Sequence, residues 1–302
     1  MIPKLFINTT GGESSLTHTP DGQNVQGDQM VARAWKKYIG RRSDLALAET
    51  PQGADYVIHF DLFSEPITGP QNILYFQNVY PPGAWPGGTV GQFNLHKSKF
   101  KHFIYTSKTL KDHCGIDGGV VPFATDHEIF YPRPVEERYR HNICFVGNGI
   151  RTSAENARYV LPVINDITIY GNPVGWGSEY SKACKGKLPL DDEPILYSSA
   201  KACLNFHLGE HILHDTINFR IYNILACRGI IISDAIPSLV NGEYRQFMAI
   251  TTGDANVKFL LDSRDGYGLA PLSMASAGQK YVLEHDTFVQ RIETLTQFIK
   301  AL

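Results

Sequence analysis

The stretch ACLNFHLGEHILHDTINFRIYNILACRGIIISD, residues 202–234, gathers the side chains best suited to chemistry. Three histidines (His207, His211, His214) and two acids (Glu210, Asp215) precede an apolar run that carries Arg220 and Asn223. On a helix from about Thr216 to Arg228, Ile217, Ile221, Ile224 and Leu225 would face a core. Thr216, Arg220 and Asn223 would form a row on another face, with Asp215 placed to cap the start. A buried guanidinium without a partner is costly, so the row asks for a polar partner. A diphosphate near the helix start would meet the helix dipole and Arg220, and Asn223 would reach a sugar hydroxyl. The alternative partner is an acid of the chain itself, Glu210 or Asp215.

Glycines follow several apolar runs. Gly11 and Gly12 come after KLFIN, Gly147-Asn148-Gly149 after NICFV, and Gly171-Asn172-Pro173 after ITIY. Glycine lets backbone N–H groups approach a phosphate or sugar without a side chain in the way; an ordinary turn uses the same residues. Neither GxGxxG nor GxxxxGK[ST] occurs, so nicotinamide-dinucleotide and P-loop readings lose ground. Zinc is possible, but an H-x3-H pair works best on a helix, and NFHLGEHILHD with Gly209 reads as a loop. His207, ending its strand, is the histidine placed to touch a ligand. In the first half, His59 and Asp61 follow DYVI, and the loop NVYPPGAWPGGTVGQFN (78–94) has the composition of a wall or lid. No GxSxG elbow and no readable catalytic triad is found.

These residues need elements to position them. Ten apolar runs alternate with helical patterns: KLFIN, DYVIHF, NILYF, HFIYT and GVVPF, then NICFVG, ITIYG, ACLNFH, GIIIS and FMAIT. Strands separated by amphipathic segments read as βα units with parallel sheets, and two groups of five suggest two sheets. FYPRPVEERYRHN (130–142), with two prolines and a charge run, reads as the linker. The expected architecture is α/β: two Rossmann-like, doubly wound domains facing a cleft, residues 1–134 and 135–285. The last helix, 286–302, packs back on the first domain, and ligands sit at the carboxyl ends of the strands.

Composition narrows the partners. The 302 residues are 43% hydrophobic and 19% charged, with a net charge of −2. That balance argues for a globular chain and against bulk binding to nucleic acid or anionic lipid. No apolar run approaches the roughly 20 residues of a membrane span, and MIPKLFINTTGG reads as a short strand rather than a signal peptide. Five scattered cysteines, never spaced CxxC, read as free thiols in a reducing cytoplasm.

ACLNFH…INFRIYNILACRGIIISD resembles the donor-binding signature of CgeB-like (spore maturation) glycosyltransferases. There, a strand ending in Asn is followed by R-x-[FY]-E-x-x-A-x-G and an apolar strand. VVPFATDHEIFYP (120–132), NICFVGN (142–148), ITIYGNPVGW (167–176) and SAGQKYVLEHDTFVQRIETL (276–295) are similar too, about half of the chain together. The resemblance implies the two-Rossmann GT-B fold, with the nucleotide-sugar held mainly by the second domain and the acceptor by the first. It implies that Arg220 faces the diphosphate, position 223 the ribose or base side, and Gly147 and Gly171 a closely approaching donor. The family's usual glutamate is Asn223 here. A carboxylate accepts from two hydroxyls at once, whereas an amide has one accepting and one donating end, which bears on donor choice.

The expected activity is transfer of a sugar from a nucleotide-diphosphate sugar, UDP slightly ahead of GDP. The acceptor is an unknown glycan, protein or small molecule. No metal or other cofactor is expected, since no DxD occurs and Asp191-Asp192-Glu193 runs at once into Pro194. Donor-side candidates are Gly11, Gly12, Gly147, Asn148, Gly171, His207, Thr216, Arg220 and Asn223; candidates for the base are His59, Asp61 and Asp28. The alternatives are a non-catalytic nucleotide- or glycan-binding protein and a nucleotide-sugar epimerase on the same fold.

Overall fold

The structure, a computed structural model, describes residues 2–9, 27–149, 153–173, 176–254, 256–257 and 270–302. The chain forms two compact units. The first comprises Met1–Phe123, Gly209–Thr216 and Phe288–Leu302, and the second Ala124–Leu208 and Ile217–Thr287.

In the first unit, β1 (Lys4–Asn8), β2 (Ala46–Leu47), β3 (Tyr56–His59), β4 (Gln71–Phe76), β5 (His102–Tyr105) and β6 (Gly119–Val120) form a parallel sheet. Its order is β2-β1-β3-β4-β5-β6. The run ILYF of β4 is buried throughout, as a parallel strand covered on both faces requires. The short β2 adds a sixth strand to the five expected. In the helix Phe288–Ala301, Phe288, Ile292, Leu295 and Ile299 recur at helical spacing and are buried. This helix packs against the helix Gly27–Ile39. Arg291 donates to the carbonyls of Pro122 and Phe123. Gly119 has to be glycine, because a Cβ there would stand 2.9 Å from the Phe298 ring.

In the second unit, β7 (Ile143–Val146), β8 (Ile167–Tyr170), β9 (Cys203–Asn205), β10 (Ile231–Asp234) and β11 (Met248–Thr251) form a parallel sheet in the order β11-β10-β9-β7-β8. Residues 130–142 lie in this unit, where the N–H groups of Arg133 and Glu136 donate to the hydroxyls of Ser198 and Ser199.

Both sheets reverse their strand order once. In the first the chain runs from β1 out to β2 and returns to β3 on the far side of β1. In the second it runs from β7 out to β8 and returns to β9 on the far side of β7. Such reversals leave a crevice at the carboxyl ends of the two flanking strands.

The helix expected over 216–228 spans only Phe219–Ala226. Asp215 does not cap it: its φ of 52 places it in the left-handed region, and Asn218 occupies the cap position with extended backbone. Ile221, Ile224 and Leu225 are buried as expected. At the other end Arg228 has a φ of 58, and the Gly229 N–H returns to the Ile224 carbonyl at 2.9 Å. The stretch read as a loop contains a short helix, Gly209–Leu213, within the first unit.

Candidate functional site

The reversal in the second unit brings together the ends of β7 and β9, and Arg220 lies there. Its Nη1 donates to the Oδ1 of Asn205, the last residue of β9, at 2.9 Å. Asn205 is itself oriented, since its Nδ2 donates to the Ser233 hydroxyl at 3.0 Å. The guanidinium carbon stands 4.6 Å from the centre of the Phe145 ring in β7. Phe145 stacks on Phe206 at 4.6 Å and 3°, and Phe206 stacks on Tyr159 at 5.5 Å. The cation thus caps a column of three rings, an arrangement that favours a planar guanidinium over an ammonium.

Among the described residues Arg220 forms no ion pair. Neither Glu210 nor Asp215 is its partner. Burial lowers the guanidinium's pKa from its ordinary value, opposed by the more distant Tyr197, Glu193 and Asp234. Glu193 is buried and accepts from the Tyr197 hydroxyl at 2.6 Å, and burial raises its own pKa.

The two glycine loops meet. A Cβ on Gly171 would fall 1.9 Å from the Gly147 carbonyl oxygen, and a Cβ on Gly147 would fall 2.9 Å from Arg220 Nη2. Asn148 accepts the Asn172 N–H at 2.8 Å, and Trp176 Nε1 donates to the Gly147 carbonyl at 3.3 Å. Gly147 and Gly171 are therefore required by the protein's own packing around the arginine. A close approach of strand ends explains both.

His207 is buried with both ring nitrogens engaged. Nδ1 donates to Asp234 Oδ1 at 2.7 Å, and Nε2 accepts the Asn218 N–H at 3.2 Å, an arrangement that assigns the proton to Nδ1. The His207 backbone N–H also donates to Asp234 Oδ2 at 2.7 Å. Through Asn218 the imidazole holds the start of the helix that carries Arg220. Asn223, buried on that helix, accepts from the Thr125 hydroxyl at 2.9 Å. The expected row of Thr216, Arg220 and Asn223 is not formed, because the helix begins three residues later. Thr216 instead belongs to the first unit, with its hydroxyl 3.3 Å from that of Thr106. Asn205 under the arginine, Phe145 beneath it and Asp234 beside His207 escaped the reading from residues. The polar ends of ACLN and GIIISD were the signal for Asn205 and Asp234.

In the first unit, β1 and β3 flank the reversal. His59, ending β3, is fully buried. Its Nε2 donates to Asn72 Oδ1 at 2.7 Å and its Nδ1 accepts from Asn8 Nδ2 at 2.9 Å. Burial lowers its pKa below the ordinary 6.5, and the Asn72 bond opposes the shift. Asp61 fixes the following turn by accepting the Phe63 N–H at 3.0 Å. Asp28 lies in the helix Gly27–Ile39, and its side chain is outside the described residues, as are Gly11 and Gly12. Among the described residues no three His, Cys, Asp or Glu side chains are grouped to hold a metal ion, and no helix is long and apolar enough to cross a membrane.

Residues 151–297 match the family described as glycosyl transferase-like. No protein of curated function matches the sequence. The fold is similar to that of Anabaena HepE in complex with UDP and glucose, with a TM-score of 0.70 at 10% identity over 100% of both chains. It is similar to sucrose-phosphate synthase from Thermosynechococcus elongatus, with a TM-score of 0.66 at 10% identity over 100% of this chain and 99% of that one. The T4 phage enzyme BGT, solved with UDP-glucose, gives 0.63 at 12% identity over 99% of each chain. The chain has the GT-B fold of two Rossmann-like units, and residues 151–297 carry a glycosyl transferase-like domain. The fold and the match over residues 151–297 are those of glycosyl transferase-like proteins.

Proposed function

We propose that the protein moves a sugar from a nucleotide-diphosphate sugar to an acceptor hydroxyl on a glycan, protein or small molecule, in the manner of the CgeB-like (spore maturation) glycosyltransferases. It acts in the cytoplasm, needs no metal or other cofactor, and takes UDP-sugars ahead of GDP-sugars. One observation carries this reading: a guanidinium held at a sheet reversal by an amide and an aromatic column, with no carboxylate among the described residues bonded to it. Such a cation is prepared for an anion from outside. The UDP and UDP-glucose bound in similar structures support the choice of nucleotide.

As the bond between the anomeric carbon and the diphosphate breaks, negative charge builds on the leaving group. Arg220 meets that charge with its remaining N–H donors. Gly147 lies beside Arg220, with Asn148 next along the chain, and His207 and Asn223 hold the helix in place. The acceptor falls to the first unit, where His59, Asp61 and Asp28 are the candidates for its base. His59 could take a proton only at Nδ1, after giving up its bond from Asn8.

UDP at tenfold excess over its dissociation constant should stabilise the fold by about 1.4 kcal/mol, with or without a chelator. Free UDP should appear from UDP-glucose in the same buffers. No thermal shift and no release with any UDP- or GDP-sugar would sink the proposal.

A further inference from the structure

In the first unit an aromatic cluster reaches the surface. Phe63 lies in the loop after β3 and Trp85 in the loop after β4, so both loops leave the carboxyl edge of the sheet. The two rings stack with centres 5.4 Å apart and planes at 27°. Tyr80 meets both edge-on, at 5.7 Å from Phe63 and 5.3 Å from Trp85, and His96 meets Phe63 edge-on at 4.9 Å. Phe63 is 37% exposed and Trp85 partly exposed, whereas Tyr80 is buried. The other two tryptophans, Trp35 and Trp176, are buried as well.

Both rings are held in place by the chain. Asp61 accepts the Phe63 N–H at 3.0 Å. The Pro81 carbonyl accepts the N–H groups of Ala84 and Trp85 at 3.0 and 2.9 Å, and the Gly88 N–H returns to the Trp85 carbonyl at 2.9 Å. Gln92 Nε2 donates to the Pro86 carbonyl at 2.8 Å. Gly87 and Gly88, with φ of 80 and 61, turn the chain from this loop into the helix Gly88–His96. A surface fixed in advance loses little freedom when a ligand settles on it.

The polar groups around the rings narrow the ligand. Neither the Trp85 indole N–H nor a ring nitrogen of His96 makes a hydrogen bond among the described residues. The lysines that follow are engaged, Lys97 with Asn94 at 2.8 Å and Lys99 with Glu65 at 2.6 Å, so these side chains are not arranged for a phosphate or an anionic headgroup. The chemistry that fits is neutral, apolar on one face and rich in hydroxyls at its edge. A pyranose ring has that form: its C–H face suits the electron-rich face of an aromatic ring, and its hydroxyls both donate and accept at the rim.

We infer that Phe63 and Trp85 form a binding platform for a sugar ring, with Trp85 Nε1 and His96 bonding its hydroxyls. All of these residues belong to the first unit, so the platform is complete within it. Resting on the transfer reaction proposed above, this ring belongs to the acceptor, and the acceptor is therefore a molecule that already carries a sugar.

The full-length protein, titrated with maltotriose, cellotriose and chitotriose, tests the platform with no donor present. At least one should bind saturably in calorimetry and shield tryptophan fluorescence from acrylamide, since Trp85 is the tryptophan within the quencher's reach. Phe63→Ala and Trp85→Ala should each weaken that binding by about tenfold or more, with UDP affinity held within about twofold. Trp85→Phe should keep most of it. No binding of any of the three sugars overturns the platform, as does binding that both alanine variants leave within about twofold of wild type. Ring-dependent pelleting with phosphatidylcholine–phosphatidylglycerol vesicles in place of sugar binding would make the patch a lipid contact and overturn it too. Should the alanine variants fail to fold, Phe63→Leu decides, because it keeps the apolar bulk without the ring, and unchanged sugar binding then sinks the assignment. Wild type that binds sugar through both rings but releases no UDP from any donor fails the transfer reading and keeps the platform. An active wild type whose KM for the bound sugar is unmoved in Phe63→Ala overturns its place in the acceptor.

Discussion

Each sheet reverses its strand order once, and the two reversals treat their polar side chains differently. At β1 and β3 the histidine is sealed between two asparagines, each nitrogen matched to a partner of the chain. At β7 and β9 the arginine has one amide bond and a ring beneath it, and no ion pair among the described residues. A buried network that satisfies itself rigidifies a fold. A buried charge that the chain leaves without an opposite charge is costly to keep unless something else supplies it. The comparison teaches that a place in the topology marks where a ligand can go, and the unspent hydrogen-bonding capacity marks where one is expected.

The largest effect should come from Arg220→Ala. Loss of a charge-assisted contact to the departing diphosphate should cost roughly 1.5–3 kcal/mol, read as slower UDP release and weaker UDP affinity. Arg220→Lys should not restore them, because an ammonium lacks the planar fork that reaches Asn205 while lying on Phe145. A lower melting temperature with unchanged UDP affinity would show that both reversals are structural.

His59→Ala should act in the opposite sense. It strands the Asn8 and Asn72 amides in a buried site, at a cost of about 1–3 kcal/mol of stability, and leaves UDP affinity of the folded protein unchanged. Chemical denaturation beside a UDP titration checks both. Lost UDP release at full stability would make the first reversal a working site and erase the contrast.

The smallest effect is on pH dependence. His59 has its folded pKa below the ordinary 6.5, so between the two values the unfolded chain binds a proton that the folded chain refuses. Stability should therefore fall as pH drops below about 6.5 towards the folded pKa. His102, His141 and His214 are shifted the same way by burial. Denaturation midpoints at pH 7.5 and 5.5 should differ less in His59→Gln than in wild type.

The ten apolar runs correspond to ten of the eleven strands among the described residues, because continuous Val, Ile, Leu and aromatic runs are what a doubly covered parallel strand must be. The eleventh, β2, is Ala46–Leu47, too short to show any period. The core face of the Arg220 helix was equally legible, since Ile221, Ile224 and Leu225 follow from spacing. Its start was not. An aspartate before a threonine looks like a cap, and only tertiary contacts tell that the chain turns left-handed at Asp215 and delays the helix to Phe219. The arginine could be named from the sequence, but its contacts with Asn205 and Phe145 could not, because these come from strands 15 and 75 residues away along the chain.

The first unit is drawn from three separate stretches of chain, the last of them carrying the helix Phe288–Ala301. A nascent polypeptide therefore cannot finish this unit first, although its strands emerge first. Until that helix has been synthesised, the apolar side of the helix Gly27–Ile39 lacks a neighbour, Arg42 and Asp44 lack Glu293 and Lys300, and the half-made sheet waits in a state open to chaperones. A single proteolytic cut after Phe123 would likewise release an incomplete unit.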